Sequence, residues 1–254
     1  MLILLTHTLF IGSEEEATNL LSFIDENMKD AISLPKKLLD RVKLQYEANT
    51  IYHHVIDEML EFIKQNIDIN EIDYISGGER RDWFFSIILS YLLEKPHITI
   101  FKNLSTYVSD EKMENTREIS SIAGKKVLHV TDLITVASSF IRAWIPAIQN
   151  LGGELIWSLS VVDRRQGGKQ RLEDLGIHSY SLVSIDEALF KDAFEKGIID
   201  KLQFDLVCDF INDPDGSMEK FVKEHPDFIE KSLQEDAKTA SRAQLCIDNH
   251  FYGL

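Results

Sequence analysis

Apolar residues recur along this chain at two spacings, and the change from one to the other divides it. Up to about residue 70 the spacing is helical, with Leu20, Leu21, Phe23 and Ile24 in one run and Ile51, Val55, Ile56, Met59, Leu60, Phe62 and Ile63 in another. Ser13 can cap the first run, whose opening turn EEE suits the positive end of a helix dipole. Pro35 then interrupts, and LLDRVKLQYE fits strand or helix equally well. The leading MLILLTHTLFIG reads as a buried strand. A secretory signal would carry a basic leader and a small-residue cleavage site, and here SEEEA follows instead.

From about residue 71 short apolar runs alternate with helical ones. IDYIS, HITIFK, KKVLHVT, ELIWSLSVVD and IHSYSLVS are predicted strands. Between them DWFFSIILSYLLE is a helix apolar on most sides, and SSFIRAWIPAIQNLGG a helix kinked or restarted near Pro146 and stopped by glycine. RRQGGKQRLEDLG reads as a loop and short helix. The pair Gly77-Gly78 is expected to break the first strand, and the polar stretch 103–124 to be a long, lid-like loop. Beyond residue 185 the pattern is helical and acidic, with PDGSMEKF and HPDFIEK as helix starts. Strands separated by helices predict an α/β fold: a parallel sheet of about five strands flanked by helices, with a ligand crevice at the carboxyl ends of the strands. The expected organisation is an N-terminal helical or hood segment over 1–70, an α/β core over 71–190, and a helical C-terminal extension over 191–254 packed on that core.

Composition narrows the function more than the fold. Of 254 residues 44% are hydrophobic and 27% charged, as in an ordinary globular protein. The net charge of −15 argues against a nucleic-acid surface, while leaving room for a local basic pocket that takes a small phosphate ester. No run approaches the ~20 apolar residues that span a bilayer. Cys208 and Cys246 stand far apart and outside any Cys/His cluster, so neither zinc nor a disulfide framework is indicated and a reducing cytosol is expected. His53 and His54 are adjacent, diverge by about 100° on a helix, and cannot chelate one ion.

Four segments fall at carboxyl ends of predicted strands. In SGGERRDW the glycines can admit an anion to backbone amides and Arg80 or Arg81 can add charge; a plain strand-to-helix turn with exposed arginines fits as well. Lys102 ends HITIFK, and alone is a solvated flank. In VLHVTDLITVASSF, Asp132 can accept from vicinal hydroxyls, and Thr135, Ser138 and Ser139 with the first amides of a helix can hold a phosphate; an ordinary serine cap is the alternative. Finally, Asp163-Arg164 ends the strand before QGGKQRLEDLG.

In order, spacing and composition these segments resemble the type I phosphoribosyltransferases over residues 72–189, and orotate phosphoribosyltransferase in particular through DRRQGG, LGIHSYSL and the motif at 127–139. The resemblance implies Rossmann-like layering and transfer of the 5-phosphoribosyl group of phosphoribosyl pyrophosphate (PRPP) to orotate or a related nucleobase, with release of pyrophosphate. It further implies Mg²⁺ held mainly through PRPP rather than by protein side chains, a homodimer, and a cytoplasmic role in pyrimidine biosynthesis. By the same resemblance Thr131, Asp132, Thr135, Val136, Ala137, Ser138 and Ser139 bind the ribose 5-phosphate. Ser76, Gly77, Gly78, Glu79, Arg80 and Lys102 bind pyrophosphate, Thr135 and Arg164 bind the base, and Asp132 and Lys102 serve catalysis.

The sequence also departs from the family pattern. Thr131 stands in place of the first of two motif acids, and Ala137 in place of a glycine. A lid lysine and histidine fall at Ser105 and Tyr107, with Lys112 or Arg117 as substitutes, and the family's N-terminal base-holding segment has no match. Such transfer rests on positioning and on stabilising the leaving group. Three readings therefore stand: an active transferase, a catalytically impaired PRPP- or nucleotide-binding regulatory module, or a partner-binding protein that keeps only the fold.

Overall fold

The structure, a computed structural model, describes residues 14–254. The strand expected over MLILLTHTLFIG and the Ser13 cap lie outside the described residues. The chain forms two compact units that divide between Ser184 and Ile185.

Among the described residues of the first unit, three α-helices precede the sheet: α1 (Glu14–Asn27), α2 (Leu34–Ala48) and α3 (Thr50–Asn66). The ambiguous LLDRVKLQYE lies in α2. Pro35 begins that helix rather than breaking it, because the first turn needs no donor from its nitrogen and its fixed φ suits the start. Leu34, Leu38, Leu39 and Val42 are buried on one face of α2. The Asn49 side chain caps α3 by accepting from the amides of Ile51 and Tyr52. Tyr52, Val55, Ile56, Met59 and Ile63 form the buried face of α3. These helices belong to the same compact unit as the sheet.

The sheet holds seven strands in the order β4-β3-β2-β1-β5-β6-β7. They are β1 (Tyr74–Gly78), β2 (His97–Ile100), β3 (Thr106–Ser109), β4 (Thr116–Glu118), β5 (Lys126–Ile134), β6 (Glu154–Asp163) and β7 (His178–Ser184). The neighbours β2-β1-β5-β6-β7 run parallel, and these are the five strands expected from the sequence. The other two correct the reading of 103–124 as a loop. They are antiparallel additions, β3 on β2 and β4 on β3. Their turn is tied by Asp110, whose carboxylate accepts from the amides of Glu114 and Asn115.

Two strand ends also differ from expectation. Gly77 and Gly78 lie inside β1, paired with Thr99 and Ile100, rather than ending it. Strand β5 continues through Asp132 to Ile134, so the acid sits within a strand and the turn follows at 135–137.

Helix α4 (Trp83–Leu92) crosses from β1 to β2 and buries all of its first eight residues. After β5 a helical run over 138–150 contains a π-turn, Phe140–Trp144, leading into α5 (Ile145–Asn150). There the Ile145 amide bonds the Phe140 carbonyl. Pro146 has no amide to give, and the wide turn just before it is how the helix absorbs the expected kink. Helix α6 (Gly168–Glu173) joins β6 to β7.

The second unit is helical and acidic as expected: α7 (Glu187–Glu195), α8 (Lys201–Asn212), α9 (Pro214–Glu224), α10 (Phe228–Leu233) and α11 (Ala237–Asp248). Aspartates cap several of its helix starts, though Asp227 makes no such bond at Phe228. Asp186 accepts from Leu189, Asp213 from Gly216, and Asp200 forms a capping box with Gln203. Among the described residues no helix is long and apolar enough to cross a membrane.

Candidate functional site

Parallel pairing of β2, β1, β5 and β6 sets their carboxyl ends side by side. Along that edge lie Lys102, the 76–81 segment, the 131–139 segment and Arg164, so one edge of the sheet carries all four sequence segments. A groove of about 850 Å³ lies elsewhere, lined by Tyr74 and Pro96 near the amino ends of β1 and β2 and by the β3–β4 turn.

In the 76–81 segment the glycines answer first to packing. A Cβ on Gly77 would lie 2.1 Å from Ser86 Oγ, and one on Gly78 would lie 2.2 Å from the indole of Trp144. Their expected use as open anion-binding amides is corrected in part. The Gly78 amide donates to Asp82 Oδ2 at 3.1 Å, and the Glu79 amide to the Ile100 carbonyl at 2.8 Å. Ser76 is fully buried with its hydroxyl 2.9 Å from His129 Nδ1, so its side chain faces the interior rather than a pyrophosphate. The peptide bond between Glu79 and Arg80 is cis.

Three basic side chains along the edge are matched with acids. Arg80 pairs with Asp25 of α1, Arg81 Nε lies 3.3 Å from Asp132 Oδ2, and Lys102 Nζ lies 3.4 Å from Glu79 Oε1. Glu79 also accepts from the Lys102 amide at 3.0 Å. Lys102 is exposed while Glu79 is largely buried, so the lysine end of the pair is open to an incoming anion.

Asp82 holds the crevice together, and sequence reasoning missed it. It stands where an ordinary helix cap would stand, yet it makes no side-chain cap to α4. Its carboxylate turns back to accept from Gly78 N, from Thr131 Oγ1 at 2.8 Å and from Asp132 N at 3.2 Å. His129 Nε2 lies 3.5 Å from Asp82 Oδ2, and its ring packs between Phe140 and Trp144. Ser76, His129 and Asp82 thus stand in a row, with a hydrogen bond between serine and histidine and a 3.5 Å approach, not a hydrogen bond, between histidine and aspartate. All three are buried, so no substrate carbonyl reaches the hydroxyl and the row braces the interior. Thr131 is 3% exposed and spends its hydroxyl on Asp82, which corrects its expected place facing a ribose.

Asp132 remains at the crevice, its side chain 12% exposed. Burial first, and then the neighbouring Asp82 carboxylate, push its pKa up to about 7, with Arg81 opposing.

The turn after β5 is built against α6. The Gly168 amide donates to the Thr135 carbonyl at 2.8 Å, and a Cβ on Gly168 would lie 2.4 Å from that oxygen. This contact is the physical content of the QGG in the sequence, another feature that spacing alone did not assign. Ala137 takes a left-handed φ of 56° and is buried, with the helical run starting behind it. Val136, Ser138 and Ser139 are exposed, and Ser139 makes no side-chain cap. Thr135 is half-buried, as is Arg164, whose amide bonds the Ile134 carbonyl at 3.0 Å. At the lid positions Tyr107 is packed edge-on against Phe101, while the candidate substitutes Lys112 and Arg117 are exposed on the β3–β4 hairpin. Among the described residues no three His, Cys, Asp or Glu side chains converge on a metal position.

A mostly parallel sheet with a phosphate-type turn after β5 and a basic edge on β1 and β2 defines an α/β protein like the type I phosphoribosyltransferases. The chain resembles that family in both sequence and fold, and the orotate-directed members recur among its relatives. Orotate phosphoribosyltransferase of Sulfurisphaera tokodaii is 29% identical over 151 residues, covering 59% of this chain and 71% of the relative. The enzyme of the same name from Saccharolobus solfataricus is 38% identical over 89 residues, covering 32% of this chain and 45% of the relative. Adenine phosphoribosyltransferase of Blochmanniella floridana is 28% identical over 176 residues, covering 64% and 93%. UMP synthase of Leishmania donovani shares the fold with a TM-score of 0.52 at 18% identity, over 68% of this chain and 35% of that one. No family model matches the chain.

Proposed function

We propose that this protein binds PRPP and transfers its phosphoribosyl group to a nucleobase, orotate or a related base, with release of pyrophosphate. One observation carries the reading: the four motif segments lie side by side at the carboxyl ends of β2, β1, β5 and β6. In this reading the exposed Ser138 and Ser139 and the first amides of the 138–150 helix hold the 5-phosphate. Asp132, once ionised, accepts from the ribose hydroxyls. Arg80 and Lys102 exchange their acid partners for the diphosphate, and Arg164 faces the base. Mg²⁺, held mainly by the donor's own oxygens, supplies charge neutralisation on the leaving group. The reading extends to a homodimer, which light scattering would test.

A second reading, a PRPP- or nucleotide-binding module with little turnover, draws support from one feature. Asp132 faces Arg81 and Asp82 rather than open solvent, and Thr131 adds no acid to the ribose side. One titration separates the two. Mg²⁺–PRPP is added to the parent and to Asp132→Asn in a calorimeter, followed by orotate, adenine and a panel of other bases with pyrophosphate release recorded. Turnover in the parent and its loss in the variant supports the transferase. Binding without turnover on any base supports the module, and absence of binding overturns both.

A further inference from the structure

The buried carboxylate of Asp82 touches both ligand-holding segments at once, although it belongs to neither. From the end of β1 it takes the Gly78 amide, at 3.1 Å. From β5 it takes the Thr131 hydroxyl at 2.8 Å and the Asp132 amide at 3.2 Å. These segments come from strands that pair only through Tyr74–Ser76 and Val127–His129, so beyond Ser76 the ladder between them has stopped. The carboxylate bridges the gap where the ladder ends.

We propose that Asp82 is a positioning residue that locks the β1-end and β5-end segments in one relative placement, with its carboxylate beside Asp132. In terms of the reading above, on which its ligand part rests, this fixes the distance between the diphosphate side and the ribose side of the crevice. It also rebuilds a pair of carboxyl groups from two separate segments, Asp82 and Asp132, beside a motif whose other acid position is Thr131. The groups facing the pair are few: Arg81 against Asp132, and His129 from β5 against Asp82. Behind His129, the buried His97 stays neutral, its pKa lowered to about 3 by burial and then by His129.

The brace is tested without any ligand. Native-state hydrogen exchange is compared between the parent, Asp82→Asn and Asp82→Ala, reading peptides over 76–81 and 131–137 against 97–109 and 50–66. Both crevice segments are expected to lose protection together, about tenfold or more, while the two reference regions hold. A change in one segment only, in neither, or equally across the unit overturns the proposal. The ligand arm uses Mg²⁺–PRPP and pyrophosphate in a calorimeter from pH 5.5 to 8.5. In the parent PRPP affinity should rise with pH through about 7, as Asp132 ionises. In Asp82→Asn the affinity should fall about tenfold and the rise should move to lower pH, because the neighbouring negative charge is gone. An unchanged affinity and pH profile in Asp82→Asn overturns the proposal. If the parent binds neither probe, the functional reading fails and the exchange experiment still decides the brace.

Discussion

Thr131 Oγ1 donates a hydrogen bond of 2.8 Å to the carboxylate of Asp82, across 49 residues of sequence. The bond is buried and its acceptor is shared with two backbone amides. Thr131→Val keeps the shape and removes the donor. It should lower stability by about 1.5–3 kcal/mol, the range for hydrogen bonds to charged groups, with an unchanged denaturant slope. Urea unfolding measures it, and a loss within error of zero would show that the bond contributes nothing net.

Asp132 and His97 make opposite contributions to the pH dependence of folding. Asp132 has a folded pKa raised from 3.8 to about 7, so between those values the folded state holds a proton that the unfolded state has lost. Stability from this group therefore falls as pH rises from about 4 to about 7. His97 has a folded pKa lowered from 6.5 to about 3, so its contribution is present above 6.5 and is lost as pH falls through that window. The two arms offset each other in the parent. In Asp132→Asn only the His97 arm remains, and stability should climb clearly from pH 4 to pH 6.5. Denaturant titrations at half-unit pH steps would show this, and a flat profile in the variant would count against the buried, neutral His97.

Gly78 and Gly168 are each pressed by one neighbour. Gly168→Ala puts a methyl carbon against the Thr135 carbonyl, which is backbone and cannot swing away. It should cost about 1–3 kcal/mol and weaken phosphate binding at the turn. Gly78→Ala meets the Trp144 ring instead, and part of its cost should be recovered by Trp144→Leu in the same chain. A double-mutant cycle in thermal unfolding reads that coupling, with additivity as the contrary result.

Ala137 adopts φ 56°, where an L-residue pays about 1–2 kcal/mol that glycine does not. Its methyl is also buried, worth about 0.8 kcal/mol. Ala137→Gly should therefore change stability by about 1 kcal/mol or less, while opening the turn to a phosphate. Tighter PRPP binding at nearly constant melting temperature is the expected pair of results.

Lys102→Ala removes the solvent-facing half of an ion pair with the largely buried Glu79 and should lower stability by no more than about 1 kcal/mol. If Lys102 serves the diphosphate, PRPP affinity or turnover should fall about tenfold or more in the same variant. Equal affinity and equal turnover would remove it from the site.

Much of the fold was legible because burial on two faces writes strands as apolar runs. ELIWSLSVVD is β6 to the residue, and HITI is β2. Strands β3 and β4 were not legible, being four and three residues of mixed polarity, with β4 the exposed edge and β3 the buried strand inside it. The motif segments could be placed on the right edge from spacing alone. The directions of their side chains could not, since Ser76 and Thr131 turn inward to partners 53 and 49 residues away. Asp82 was hidden for a related reason: an acid before an apolar helix reads as a cap, and only the closeness of β1 and β5 gives its carboxylate other work.

The indole of Trp144 lying over Gly78 separates two kinds of information that a glycine pair carries. A residue held small by a ring from another helix would persist in a descendant that had stopped handling phosphate altogether. The glycines therefore record architecture, and the half-buried Arg80 and exposed Lys102, each paired with an acid rather than with the core, are the positions whose drift would mark a change of trade.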